Sequence, residues 1–260
     1  MAYPKKIKIT CEELRKMYYD KNLSMYDIAR ILGVHRASVL ARLRKCGIKS
    51  KGHGYKLVRY HPNFKKENDI AYILGVMLTD GYIGNSWRNK KIVLATDRIE
   101  FAESFSNALA RIGLRPRWRI IKPKKQNHKW LIRVEANSSE FAKWYHSLSK
   151  EEIVNIVDKK PIDFLRGVYE GDGSLVIRGK NQIRVYPITN TNIWLINIVT
   201  SLLTKLNFNY SIWKRKKRNY KTIYMVNLLG KTNKKLEFIY LINPSIKKPK
   251  PSPSPHPNTQ

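Results

Sequence analysis

Two aspartates, Asp80 and Asp172, are the residues whose setting most clearly indicates chemistry. Each follows an apolar segment and precedes a glycine. An acid at the end of a helix is locally unfavourable, because the last turn exposes carbonyl oxygens and the negative end of the helix dipole. Two nearby carboxylates with such carbonyls form a hard oxygen site suited to Mg²⁺. Ions held there could activate water in phosphodiester hydrolysis. The alternative is that each Asp-Gly pair only forms a tight turn.

The segments around the two aspartates are copies of one another. Ile73–Gly81 returns as Leu165–Gly173, and Leu109–Leu114 returns as Leu203–Phe208. Each copy predicts the same order, αββαββα: a helix ending at Asp-Gly, two strands, a long helix, two strands and a helix. The fold class predicted is therefore a duplicated α+β domain, and the duplication favours a shared role for the two acids.

Small residues recur at helical spacing within each copy. Gly75 and Thr79 share one helix face, and so do Gly167 and Gly171. Such residues let two helix backbones approach closely. If the motif helices pack along these faces, the two aspartates emerge side by side.

Both nine-residue stretches resemble the motif of the LAGLIDADG homing endonucleases. The resemblance covers residues 63 to about 242 and implies a single-chain pseudo-dimer whose two antiparallel sheets form a DNA-binding saddle. It implies that Asp80 and Asp172 are the catalytic acids, and that the carbonyls of Thr79 and Gly171 help to hold two or more shared divalent ions. Such enzymes make a staggered double-strand cut in a long DNA target.

The resemblance has two departures and one further implication. Leu78 replaces an acid in the first motif and Arg166 stands at the second position of the other, but neither change touches the metal-holding position. The family often has a Lys or Gln on the second strand beside the acids. Lys90 or Lys91 and Gln182 match this roughly, with ordinary surface residues as the alternative.

Alternation along the predicted strands separates polar from apolar residues. One face of each strand is apolar and would be covered by helices. The other is rich in side chains that read base edges, although a solvated polar face is the usual fate of such positions. The predicted DNA-binding strand residues are Arg115, Arg117, Arg119, Lys129, Arg133, Arg184, Tyr186, Asn209, Ser211 and Trp213.

Residues 25–44 resemble a helix-turn-helix, with Gly33 permitting the sharp turn. The residues expected to project toward DNA from the last helix are Arg36, Ser38, Arg42 and Lys45. A small helical module that binds protein is the alternative. Thr10 with Glu13 predicts a capping box at the start of the first helix, and Ser24 followed by Asp27 predicts the start of a second helix.

Composition supports a polyanionic partner. The chain has 51 Lys+Arg against 19 Asp+Glu, a net charge of +32, which a ribosomal protein would share. Cys11 and Cys46 are predicted to be reduced, without structural zinc. With no membrane span or signal segment in the sequence, we expect a soluble, intracellular monomer, in the cytoplasm or nucleoid or in an organelle.

The predicted domains are a helix-turn-helix over 1–50, a linker over 51–62, repeats over 63–160 and 161–246, and a disordered Pro-rich tail over 247–260 that is given no site. The function favoured is a Mg²⁺-dependent, site-specific, mobile-element DNA endonuclease that acts in intron homing. The alternatives are a maturase that binds intron RNA and a regulator that binds DNA without cutting. The chain's two ends lack splice-junction residues, which disfavours an intein.

Overall fold

The computed structural model describes residues 9–21, 23–49, 61–86, 89–122, 129–178, 182–216 and 220–247. The chain forms two compact units, 1–58 and 59–260. Most of the predicted linker and residues 248–260 of the predicted tail lie outside the described residues. No helix within the described ranges has the length and apolar character needed to cross a bilayer.

The smaller unit is helical. The predicted capping box at Thr10 is confirmed, and Ser24 forms one too: the side chains of Thr10 and Ser24 each accept from the backbone three residues on, and the acids there bond back. Gly33, after the second helix, has φ +61°, a left-handed conformation that favours glycine. The elements are α1 (Cys11–Arg15), a π-helical turn (Lys16–Asp20), α2 (Met25–Ile31) and α3 (Arg36–Lys45).

A disulfide joins Cys11 to Cys46, so the prediction of two reduced cysteines was wrong. Cys11 begins α1 and Cys46 follows the last residue of α3. The two helix ends meet although they lie 35 residues apart, and their Cα atoms are 5.4 Å apart. Folding, which spacing alone does not report, creates this proximity. The bond removes the argument for a reducing compartment.

The larger unit is α+β and contains the duplication. The first copy comprises α4 (Glu67–Met77), β1 (Gly81–Ser86), β2 (Asn89–Thr96), α5 (Ile99–Arg111), β3 (Arg117–Ile121), β4 (Leu131–Asn137) and α6 (Ser139–Ser147), followed by α7 (Lys150–Lys159). The second comprises α8 (Pro161–Asp172), β5 (Ser174–Arg178), β6 (Gln182–Tyr186), β7 (Ile188–Asn190), α9 (Ile193–Lys205), β8 (Tyr210–Arg215), β9 (Ile223–Leu228) and α10 (Thr232–Ile242). The first copy has the predicted αββαββα order, and the second copy has the same order with one additional strand, β7, before α9.

The strands are antiparallel, but they form three sheets in the described residues rather than the two predicted. The first copy has one sheet in the order β1-β2-β4-β3. In the second copy, β5-β6 and β7-β9-β8 are separate. Pro187 stands between β6 and β7 where β2 runs without a break. Because proline has no N–H and a fixed φ, it interrupts the strand pairing there.

The core of this unit lies between helices and sheets. α4 is buried from Asp69 to Met77, which is the pattern of a helix covered all round. α5 and α9 each bury one apolar stripe, including Phe105 and Val199. The two motif helices α4 and α8 thus occupy the centre of the unit, and their ends define the candidate site.

Candidate metal and nucleic-acid site

The motif helices α4 and α8 touch through their glycines. A Cβ on Gly75 would lie 2.9 Å from the backbone nitrogen of Val168 and 3.1 Å from the Cα of Gly167. A Cβ on Gly167 would lie 3.0 Å from the nitrogen of Val76. Contacts this short exclude any larger side chain unless the helices separate. At the next turn, Gly171 packs against the side chain of Thr79.

Each motif helix delivers its acid at the C-terminal end. α4 ends at Met77, and the amide of Asp80 donates to the carbonyl of Val76 (3.0 Å). Asp172 is the last residue of α8, and the side-chain amide of Asn190 donates to its carboxylate (2.5 Å). Asn190 ends β7, so the second copy fixes its acid from two elements. No feature of the sequence analysis had singled out Asn190.

Within the two acids, hereafter the acid pair, the charge of Asp80 acts on Asp172. Burial raises the pKa of Asp172, the Asn190 hydrogen bond opposes this, and the charge of Asp80 adds to the increase. Burial also raises the pKa of Asp80, and the Lys247 ammonium opposes it. The ionised forms of both acids are therefore disfavoured at this seam, the place where the C-terminal ends of α4 and α8 lie together. A cation placed there would stabilise the ionised forms.

Lys247 supplies a cation at this seam. Its Nζ donates to the carbonyls of Glu170 and Gly171 (both 2.8 Å) and contacts that of Tyr169 (3.3 Å). Burial lowers the pKa of Lys247, while Asp80, Asp172 and Glu170 oppose this. The sequence analysis had placed Lys247 in a tail without a site. No local pattern could have found it, because the contact forms only when the chain returns to α8.

The donor set fits a hard cation. A positive group already contacts the Gly171 carbonyl beside the acid pair, so this position accepts positive charge. The described residues contain no cluster of three or more His, Cys, Asp or Glu side chains. A divalent ion would therefore depend on two carboxylates and on helix-end carbonyls such as those of Thr79 and Gly171.

The three candidate residues on the second strands lie at different positions along the two hairpins. Lys91 is opposite Gly84, three residues along β1 from Gly81, or about 10 Å. Its Nζ binds Glu135 (3.2 Å). Gln182 is opposite Arg178, about 13 Å along the hairpin from Ser174. Lys90 is exposed one position nearer the hairpin tip.

Register identifies a counterpart of Lys91 in the second copy. Gly84 lies four residues after Asp80, and Val176 lies four residues after Asp172. Val176 pairs with Arg184 as Gly84 pairs with Lys91. Arg184 therefore occupies the equivalent place, although the sequence analysis had given it only a DNA-binding role.

The first sheet has a cationic face organised by a buried acid. Glu135 is 5% exposed, and its carboxylate contacts Arg119 (3.2 Å) and Arg133 (4.0 Å) as well as Lys91. Arg117 is opposite Glu135 in the register. The sequence analysis missed Glu135, although its alternation with Arg133 along β4 was a visible signal.

Several predicted strand residues differ from their expected positions. Arg115 precedes β3, Lys129 precedes β4 and binds Asp97 (2.7 Å), and Asn209 precedes β8. The pairing of each of these strands therefore starts later in the chain than alternation alone suggests. On the strands, Arg184 and Trp213 are exposed, and Tyr186 and Ser211 are half-buried.

In the smaller unit, two predicted contact residues do not project outward. Ser38 is buried, and Arg42 donates to the carbonyl of Ile9 (2.6 Å). The buried stripe of α3 includes Ser38, Val39 and Leu43, so the helix is rotated relative to the expectation. Arg36 is half-buried and lies over the ring of Tyr26. The exposed cations of α3 include Lys45 and also Arg44, which the prediction omitted.

Comparison with known proteins agrees with this geometry. The fold is similar to that of a variant of the homing endonuclease I-DmoI crystallised with its target DNA in the presence of Mg (TM-score 0.50, 17% identity, 70% of this chain and 98% of that chain). A family model described as LAGLIDADG-like domain matches residues 67–149 and 159–238. The chain belongs to this family.

Sequence relatives include two uncharacterized proteins of Methanocaldococcus jannaschii. MJ0314 is 34% identical over 168 residues, covering 63% of this chain and 64% of that protein. MJ0398 is 30% identical over 156 residues, covering 58% of this chain and 53% of that protein. The chain thus spans only part of these relatives' length. The N-terminal LAGLIDADG domain of DUF199/WhiA is a further structural neighbour (TM-score 0.48, 19% identity, 72% of this chain and 84% of that one).

Proposed function

We propose that this protein is a site-specific DNA endonuclease that hydrolyses phosphodiester bonds with divalent ions, Mg²⁺ foremost, and makes a staggered double-strand cut. The observation that carries the proposal is that Asp80 and Asp172 lie at the C-terminal ends of two helices in glycine contact, close enough for the charge of Asp80 to raise the pKa of Asp172. Family membership and the fold agree with it, and the cationic strands supply a surface for DNA.

The acid pair has the central role. Asp80 and Asp172 hold divalent ions together with the carbonyls of Thr79 and Gly171, and Asn190 orients the Asp172 carboxylate. Bound divalent ions supply Lewis acidity and activated water. Lys91 and Arg184, at equivalent positions on the two hairpins, bind phosphate near the scissile bonds. Lys90 and Gln182 lie nearer the hairpin tips and are therefore the weaker candidates for this role.

The remaining cations bind the duplex. Arg117, Arg119 and Arg133 contact DNA in the first copy, and residues of β6 and β8 contact it in the second. The smaller unit acts as an additional helix-turn-helix reader through Arg36, Arg44 and Lys45. Both acids belong to one chain, which supports action as a monomer.

The test is selection of cleaved sites from a random duplex library. We expect the full chain with Mg²⁺ or Mn²⁺ to give one family of sequences with defined, staggered ends. Asp80→Asn and Asp172→Asn should abolish cutting and retain duplex binding. Asp158→Asn, an exposed acid paired with Lys205, is the matched control and should cut normally.

Two other outcomes have definite meanings. Sequence-specific duplex binding without cutting under several divalent ions would establish a non-cleaving DNA-binding protein. Tighter binding of structured intron RNA than of any duplex would favour a maturase. Either result refutes the endonuclease.

A specific observation favours the non-cleaving protein as the second candidate. Lys247 contacts the Gly171 carbonyl and Asn190 contacts the Asp172 carboxylate. Two of the oxygen groups proposed to bind metal ions therefore already have protein partners. A chain that binds DNA without cutting could hold the acid pair with these protein partners in place of a metal ion.

A further inference from the structure

The ammonium of Lys247 caps the end of α8. The last carbonyls of a helix have no partner within the helix, and an ammonium has three N–H donors. Lys247 has three such carbonyls within reach, those of Tyr169, Glu170 and Gly171. The cation is therefore held by the same kind of oxygen that would bind a metal ion.

The chain around Lys247 is anchored to α8. The backbone nitrogen of Ser245 donates to the buried carboxylate of Glu170 (2.5 Å), and the hydroxyl of Tyr169 donates to the Lys247 carbonyl (2.8 Å). Ile246 is buried between these contacts. Several independent contacts hold this backbone, so the side chain reaches the seam from a fixed position.

The two halves of the site differ in charge because of this lysine. At the end of α4, the group that reaches a terminal carbonyl is the neutral hydroxyl of Tyr145, which contacts Met77 (3.4 Å). At the end of α8 it is the ammonium of Lys247. Among the described contacts, the end of α4 therefore has no ammonium on a terminal carbonyl, and the end of α8 has one.

We propose that Lys247 is a resident cation of the metal centre, which holds the Gly171 carbonyl and neutralises part of the acid pair. The centre consequently binds one divalent ion fewer than it would without the lysine, and its ion lies on the Thr79 side. A divalent ion at the Gly171 carbonyl would lie within a few ångströms of the ammonium, and their repulsion is strong at that range. This inference rests on the proposed metal site.

The test counts Mn²⁺ bound to the full chain, by measuring free Mn²⁺ by electron paramagnetic resonance. Lys247→Met keeps the aliphatic stem and removes the charge. We expect it to bind one more Mn²⁺ than the wild type, or the same number about tenfold more tightly. Lys235→Met is the matched control, because Lys235 is a half-buried lysine on the carbonyl of Ile183; it should match the wild type.

Adding Asp172→Asn to Lys247→Met should remove the gain. Equal Mn²⁺ number and affinity in the wild type and Lys247→Met would overturn the inference. This test does not measure cleavage, so its result is independent of the proposed function. If Lys247→Met changes the Mn²⁺ number but the protein does not cut DNA, the resident cation is supported and the endonuclease is rejected. Absence of Mn²⁺ binding at the acid pair in every variant would reject both.

A measurement on the wild type covers the case in which Lys247→Met fails to fold. Lysine acetylation followed by mass spectrometry reports whether each amine is accessible. The amine of Lys247 should stay protected from acetylation at saturating Mn²⁺. Labelling of Lys247 that rises with Mn²⁺ would mean that the ion displaces it, which contradicts the proposal.

Discussion

Asp172 is a residue at which negative charge is costly in this site. Its pKa is raised, chiefly by burial. An acid with a raised folded-state pKa contributes stability that is fully present below its unfolded pKa and is lost as pH rises through the folded value. At neutral pH, without metal, the ionised carboxylate therefore destabilises the fold.

The resulting prediction concerns Asp172→Asn in EDTA. At pH 7 the variant should melt above the wild type, by roughly 2 °C or more if the relief is near 1 kcal/mol. The difference should shrink as pH falls through the raised pKa of Asp172 and vanish below the ordinary pKa of aspartate, about 3.9, where the wild-type acid is also neutral. Melting curves over pH measure this, with Asp158→Asn as the control. A lower melting temperature for Asp172→Asn at pH 7 would contradict it.

Individual residues show where sequence information ends. The meeting of Asp80 with Asp172 could be predicted, because duplication and glycine spacing are local patterns that imply symmetry. Lys247 could not be predicted, because its partners lie some 76 residues away in the chain. Ser38 was misassigned, because a helical pattern leaves the rotation of a short helix uncertain by about one residue.

At the scale of elements, the pair α4–α8 controls the distance between the acids. A methyl group on Gly75 would meet the backbone of α8 at Phe164 and Val168, and backbone cannot move aside as a side chain can. Gly75→Ala should therefore destabilise the larger unit by about 1–3 kcal/mol and weaken Mn²⁺ binding. Gly84→Ala is the control, because its methyl would meet a side chain, Val93, at 3.3 Å. Equal stability and Mn²⁺ affinity in the two variants would refute this role of the helix contact.

The sheets show which elements a pattern can specify. Alternation predicted the strands, because residues on one face of a strand recur with a period of two, but Trp118 and Ile120 of β3, on the face expected under the helices, are exposed. The split of the second sheet at Pro187 and the late starts of β3, β4 and β8 depend on turn geometry and on pairing between distant strands. Those interactions are tertiary, so the element order was predictable and the sheet boundaries were not.

The smaller unit depends on its disulfide because its core is small. The buried residues include Leu14, Ile28, Val39 and Leu43, few for an independent unit. Closing a loop of this length stabilises by about 3–4 kcal/mol in the chain-entropy account. Cys11→Ser should lower the stability of this unit by that amount and leave the larger unit unchanged. Hydrogen exchange with and without reductant measures both, and equal protection in the two conditions would contradict the prediction.

At the scale of the whole molecule, a net charge of +32 makes affinity for DNA depend on salt. Each phosphate neutralised by Lys or Arg releases counterions, and the logarithm of affinity falls linearly with that of the salt concentration. With six to ten such contacts, affinity for duplex should fall by roughly 10³–10⁵ between 50 and 200 mM salt. A nearly flat response would show that the charge is not used for DNA.

The slope also tests whether the smaller unit takes part. Lys45 is exposed on α3, and if it contacts a phosphate, Lys45→Gln should reduce the salt slope by about one and weaken all sequences alike. Lys143→Gln, an exposed lysine on α6, should leave the slope unchanged. Binding curves over a salt series measure this. If Lys45→Gln leaves the slope unchanged, as Lys143→Gln does, Lys45 does not contact DNA. If Arg44→Gln also leaves it unchanged, the outer face of α3 is excluded from the DNA contact.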